Sequence, residues 1–203
     1  MNEKIKEGEN PTAPKPGFNN RKPGGFRRND ASRSDGIETK MINIKQINKT
    51  TKGGRRMRFS ALVVAGNKDG IVGYGIGKSV EVPVAIKKAE QDARKNLVKV
   101  LINKRHTLFH EVELKNGACT MLIKPAPSGT GIIAGGAVRA VLELAGYTDA
   151  CSKKLGSNSK INMIQTTIKA LQSQKTPGEY AKLRGKQVAD IDSKIKAGER
   201  KGE

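Results

Sequence analysis

The chain has 203 residues, 39 of them Lys or Arg against 19 Asp or Glu, for a formal net charge of +20, with 35% apolar residues and no Trp. That length allows one domain or two small ones with aliphatic cores, and the charge excess points to a polyanionic partner. No apolar run approaches the roughly 20 residues of a membrane span, and no basic amphipathic helix with a bulky apolar face offers a surface anchor. The N-terminus is polar without an apolar signal core, so a cytoplasmic setting is expected, with Cys119 and Cys151 as reduced, buried thiols.

Residues 1–36 carry a net +3, few apolar groups and repeated Pro, Gly and Asn, and read as a disordered basic arm. Within it, Arg21-Lys22-Pro23-Gly24-Gly25-Phe26-Arg27-Arg28 reads equally as a flexible RNA-binding tail or a solvated extension. Residues 37–106 hold sixteen basic and five acidic groups, the densest positive charge of the chain. Met41–Ile47 alternates as a strand, 48–56 breaks it, and Phe59–Ala65 forms a second strand. Asn67-Lys68-Asp69-Gly70 is a turn, and Ile71–Ile76 returns as a third strand. A helix opens at Pro83, with Val82, Ile86, Ala89, Ala93, Leu97 and Val100 as one apolar stripe, so three antiparallel strands covered by a helix are expected.

Residues 107–190 form a second α+β unit. Leu108–Leu114 and Ala118–Lys124 make a hairpin around Lys115-Asn116-Gly117, followed by the loop Pro125–Gly131 and a helix over Ile133–Leu144 that Gly146 ends. A short strand near Tyr147–Leu155 precedes a helix carrying Ile161, Ile164, Ile168 and Leu171, capped by Asn158 and closed by Pro177-Gly178. Residues 191–203 are a polar tail.

Lys49-Thr50-Thr51-Lys52-Gly53-Gly54-Arg55-Arg56-Met57-Arg58 sets five cations around a Gly-Gly hinge between two strands. Lys offers point charges, Arg offers forks, and the glycines let backbone N–H groups reach a phosphate, so this segment is the expected RNA contact. Val72–Ser79 approaches the P-loop pattern, but Val72 stands where its first Gly belongs and no βαβ context surrounds it. Gly73, Gly75 and Gly77 instead clear one face of a strand, which beside Tyr74 and Lys78 would admit an RNA backbone; the paired aromatics of an RRM are missing. A second Gly-rich loop, Ser128-Gly129-Thr130-Gly131-Ile132-Ile133-Ala134-Gly135-Gly136, resembles the phosphate loop of small-metabolite kinases, though tight backbone packing against another chain or RNA is the favoured reading. His106, His110 and Cys119 make only an incomplete zinc set, and no catalytic constellation, metal site or cofactor site can be assembled.

Taken together, Lys52-Gly53-Gly54-Arg55, Gly73-Tyr74-Gly75-Ile76-Gly77-Lys78, Glu81-Val82-Pro83-Val84-Ala85-Ile86, Gly129–Gly136, Arg139-Ala140-Val141-Leu142-Glu143 and Lys182-Leu183-Arg184-Gly185-Lys186 resemble the bacterial small-subunit ribosomal protein five family, in order over residues 40–190. The resemblance implies a double-stranded-RNA-binding-like first domain and a second α+β domain with a left-handed βαβ crossover, kinase-like in fold without the activity. It implies a structural, non-enzymatic constituent of the small subunit that binds rRNA near the junction of body and head, beside the mRNA entry side. Lys49, Lys52, Gly53, Gly54, Arg55, Arg56, Arg58, Tyr74 and Lys78 are then the expected rRNA contacts, in a hairpin near where spectinomycin acts. Gly129, Thr130, Gly131 and Arg139 are the expected contact with ribosomal protein four, which bears on decoding accuracy, and the second domain also meets ribosomal protein eight. No homo-oligomer and no membrane partner is implied. Gln46 and Thr51 replace residues that are commonly Arg and Val in that family. A free-standing duplex-RNA regulator and a phosphoryl-transfer enzyme on the two Gly loops are the rival readings.

Overall fold

The computed structural model describes residues 36–188, so the arm with its Arg21–Arg28 run and the tail 191–203 lie outside the described residues. The first sheet is antiparallel in the order β1 (Glu38–Thr51), β2 (Gly54–Gly66), β3 (Ile71–Ser79) and β4 (Leu97–Lys99). Helix α1 (Val82–Lys95) has Pro83 in its first turn, as read from the sequence, but stops five residues before Val100, the end of the expected stripe. Asn96 breaks the helical backbone, and Leu97–Lys99 pairs with Ile71–Gly73 as a fourth strand. Apolar spacing alone does not separate a last helical turn from a short strand that buries the same residues. Beyond β4, the β3 amide of Ile76 donates to Asp92 Oδ2 of α1 at 3.0 Å, so the helix supplies an acceptor at the strand's edge.

β2 and β3 are covered on both faces. One face carries Ala61 and Val63, packed with Ala85 and Ala89 of α1. The other carries Leu62, Val64 and Val72, which join the main core. Gly73, Gly75 and Gly77 lie on the α1 face, and the expectation that this face stays open to RNA is corrected here. A Cβ on Gly73 would stand 2.6 Å from the Asn96 carbonyl oxygen, and one on Gly75 or Gly77 would meet the Ala89 or Ala85 carbonyl still closer. The glycines and Ala85, Ala89 and Ala93 let helix and strand backbones touch, and α1 fills the face.

The second sheet has the order β5 (Val112–Asn116), β6 (Cys119–Pro125), β8 (Ala150–Gly156) and β7 (Ile132–Ile133). β7 runs parallel to β8 and connects to it through α2 (Gly136–Ala145). The hairpin turns at Gly117, φ +59°, as expected, though residues 108–111 stay outside the strand. α2 begins three residues later than read, because Ile132–Ile133 is strand, and it ends at Gly146 in the left-handed region. Helix α3 (Lys160–Gln172) starts after Ser159 rather than Asn158. Pro177 opens a further helix, α4 (Pro177–Arg184), where Thr176 and Glu179 form a reciprocal capping box. Cys119 is buried, but Cys151 is exposed, because the β8 alternation turns it to the face opposite Ala150.

The two sheets share a core. Leu62, Val64, Val72 and Val100 from the first pack with Val138, Val141, Leu142 and Ile164 from the helices of the second. The turn after β2 docks on the end of α2: Lys68 N–H donates to Leu144 O and Gly70 N–H to Ala145 O, both at 2.9 Å. Two carbonyls that a helix end leaves unpaired are thereby satisfied by the other sheet's turn.

Candidate RNA interface

Between Thr39 and Lys68 the sequence has no Asp or Glu, yet it carries Lys45, Lys49, Lys52, Arg55, Arg56 and Arg58. The structure makes this stretch one long ribbon. Lys49 pairs with Arg56, Thr50 with Arg55 and Thr51 with Gly54, leaving Lys52 and Gly53 at the tip. The expected break at 48–56 is thus a correction: both strands run to the turn, with every residue from Lys45 to Arg58 exposed. With solvent on both sides, these residues need no apolar alternation, which removes the usual strand signal. The Thr51 hydroxyl closes the tip by donating to Gly54 O at 3.0 Å, and Gly54 takes φ +137°, a region that suits glycine.

Several cations elsewhere have acidic partners: Lys40 and Arg139 with Glu143, Lys68 with Glu38, and Lys124 with Glu111. Among the described residues, none of the ribbon cations has one. They are uncompensated charges on a projecting element, the arrangement that attracts phosphate. Lys78 belongs with them, because Lys45, Ser60 and Lys78 form one row across β1, β2 and β3. Tyr74 does not. It is half-buried against the main core, and its hydroxyl accepts from Gln165 Nε2 at 3.0 Å.

The second Gly-rich loop has an internal anion. Gly129 and Gly131 N–H donate to Asp149 Oδ1 at 3.0 and 2.8 Å, and the Thr148 hydroxyl donates to Oδ2 at 2.9 Å. These bonds, the Gly131 amide first, hold the Asp149 carboxyl below its ordinary range. A carboxylate of the chain itself therefore takes two of the loop amides that a bound phosphate would use. Thr130 is exposed and turns its hydroxyl to Pro127 O at 2.8 Å. Arg139 is exposed on α2 and bonds Glu143 Oε1 at 2.8 Å, while Glu143 Oε2 takes Lys40 Nζ at 2.7 Å. Those two cations hold the Glu143 carboxyl below its ordinary range, Lys40 contributing most.

The three zinc candidates do not gather: among the described residues no group of three metal-ligating side chains occurs. His110 Nε2 accepts from Lys175 N–H at 3.2 Å, which leaves the proton on Nδ1 to donate to Glu111 O at 2.8 Å. Sequence reading missed Asp149, Glu143 and Lys45. The first two are defined by distant partners, and Lys45 only by strand register.

Residues 37–101 match the family described as Ribosomal protein S5, N-terminal domain, and residues 114–184 match Ribosomal protein S5, C-terminal domain. The chain is similar to Small ribosomal subunit protein uS5 of Malacoplasma penetrans, 58% identical over 156 residues, covering 77% of this chain and 67% of that protein. The protein of the same description from Mycoplasmoides gallisepticum is 56% identical over 155 residues, with 76% and 69% covered. That of Delftia acidovorans is 48% identical over 162 residues, with 80% and 93% covered. The first sheet, with the glycines under α1 and the basic ribbon, and the second sheet from Leu114 onward fall within matched segments, and the chain belongs to the ribosomal protein S5 family.

Proposed function

We propose that this chain is a structural, non-catalytic constituent of the small ribosomal subunit in the cytoplasm and binds small-subunit rRNA through the β1–β2 ribbon. The observation that carries this reading is the uncompensated cationic ribbon in a chain of this family. Lys49, Lys52, Arg55, Arg56, Arg58 and Lys78 neutralise phosphates and release counterions, while Gly53 and Gly54 let the tip approach closely. The folded units then hold rRNA segments in register where body meets head, near the mRNA entry side. The Gly129-Thr130-Gly131 loop and Arg139 are the proposed contact with ribosomal protein four, and the second unit meets ribosomal protein eight.

The test is a tagged chain expressed in its own cell and followed through a sucrose gradient, with particles washed at high salt. Stoichiometric retention on the small subunit is expected. Release by salt, or a peak at the top of the gradient, would overturn the reading in favour of a free RNA-binding regulator. For the accuracy contact, Arg139→Glu is expected to change the miscoding frequency of a reporter; an unchanged frequency would remove Arg139 from that role.

A further inference from the structure

The register of the ribbon separates its two faces by charge. Residues paired across antiparallel strands point to the same side, as do alternate residues along each strand. Lys45 and Lys49 of β1, Arg56 and Arg58 of β2, and Lys78 of β3 therefore share one face. The opposite face holds Gln46, Asn48, Thr50 and Met57, with Arg55 as its one cation, and runs into the cluster beneath α1. The cationic side is continuous with the face that packs on the second unit, through Leu62, Val64 and Ile76. There Lys160, at the start of α3, reaches Asn43 Oδ1 at 3.2 Å and carries the charge onto that unit.

We infer that RNA binds the ribbon on this one side, along a stripe formed by Lys160, Lys45, Lys78, Arg58, Lys49 and Arg56, with Lys45 and Lys160 as phosphate contacts and Tyr74 outside the site. The inference rests on the proposed rRNA-binding reading and adds which side is used and which residues extend it; Arg55, beside the tip on the opposite face, meets phosphate only at the tip and not along the stripe. From Lys45 to the tip the stripe is about 24 Å long at the rise of a strand. A-form RNA has a major groove too deep and narrow for side chains to read, so such a stripe lies along backbone, across a minor groove or at a junction. Ile47, 41% exposed between Lys45 and Lys49 and opposite Arg58, supplies apolar contact to a sugar within the stripe.

The experiment uses the full chain and transcribed small-subunit rRNA, with affinity measured from about 50 to 300 mM KCl. A triple variant Lys45→Gln, Lys49→Gln, Arg58→Gln is compared with a charge-matched triple Lys87→Gln, Lys88→Gln, Lys95→Gln. The latter lysines are exposed on α1, which covers the other side of the sheet. All six positions are exposed, and thermal melts of both variants are expected to match the parent. The slope of log affinity against log salt is expected to fall by about 2 to 3 for the ribbon triple and by less than about 1 for the helix triple. Lys160→Gln alone is expected to lower it by about 1. Equal losses in the two triples would mean bulk charge only, and would overturn the stripe while leaving rRNA binding intact. A parent chain that binds unrelated RNA of equal length as tightly as small-subunit rRNA would instead defeat the functional reading itself.

Discussion

Asp149 sits 20 and 18 residues from the two glycine amides that it accepts, so nothing near it in sequence announces its role. Its hydrogen bonds are made to the ionised form, which is why its pKa is lowered. A depressed folded-state pKa gives a contribution that is complete above the ordinary carboxylate value of 3.8 and is lost as pH falls through the lower, folded value. Hydrogen exchange should show this locally. Protection of the Gly129 and Gly131 amides is expected to decline in acid below that value, while the Arg139 amide, bonded to Gly135 O inside α2, keeps its protection. Asp149→Ala is expected to expose the two glycine amides at every pH. Unchanged protection in that variant would show that the loop is held by something else. By contrast, Lys49, Lys52, Arg55, Arg56 and Arg58 around the ribbon tip were legible one by one, since charge without any acidic neighbour is a property of the sequence itself.

The contact of β3 with α1 is made of small residues on both sides, and it explains a motif that looked functional. Gly73, Gly75 and Gly77 recur at the period of a strand, and Ala85, Ala89 and Ala93 at that of a helix. Sequence alone shows that both surfaces are bare, but not that they face each other. Gly75→Ala is expected to destabilise the fold by about 1–3 kcal/mol or more, because the atoms that its methyl would meet are helix backbone and cannot rotate away. Gly53→Ala, with open space around it, is expected to stay within about 0.5 kcal/mol of the parent. Urea denaturation of both checks the pair, and equal midpoints would contradict the packing account. At this scale the element types were mostly readable, and their ends were not. Pro177 illustrates why: the same residue stops one helix or starts the next, and the capping box of Thr176 and Glu179 decides for the start.

The division of the sequence into two α+β runs was legible, whereas their common core was not, although the unbroken apolar run Ala61–Ala65 already hinted at a strand buried on both faces. Leu62, Val64 and Val72 have α1 behind them and the second unit's helices in front. The two units are therefore expected to unfold together, in one transition seen alike by helix and tertiary probes. A fragment ending at residue 106 lacks the cover over that face and is expected to bind a hydrophobic dye and melt without cooperativity. Two separate transitions in the full chain, or a sharply melting fragment, would show the units to be autonomous.

The docking of the Lys68–Gly70 turn onto the end of α2 also has a consequence in time. During synthesis the first sheet is complete once Val100 has emerged, but the end of α2 follows only after roughly 45 more residues. At about 5–20 residues per second, the interval is about 2–9 s. Throughout it the nascent chain offers an uncovered aliphatic face beside a hairpin of unbalanced positive charge, in the immediate vicinity of the polymerised RNA of the machine that is making it. The order of synthesis thus leaves the chain's stickiest state to be passed through at the place where unwanted RNA contacts are most abundant.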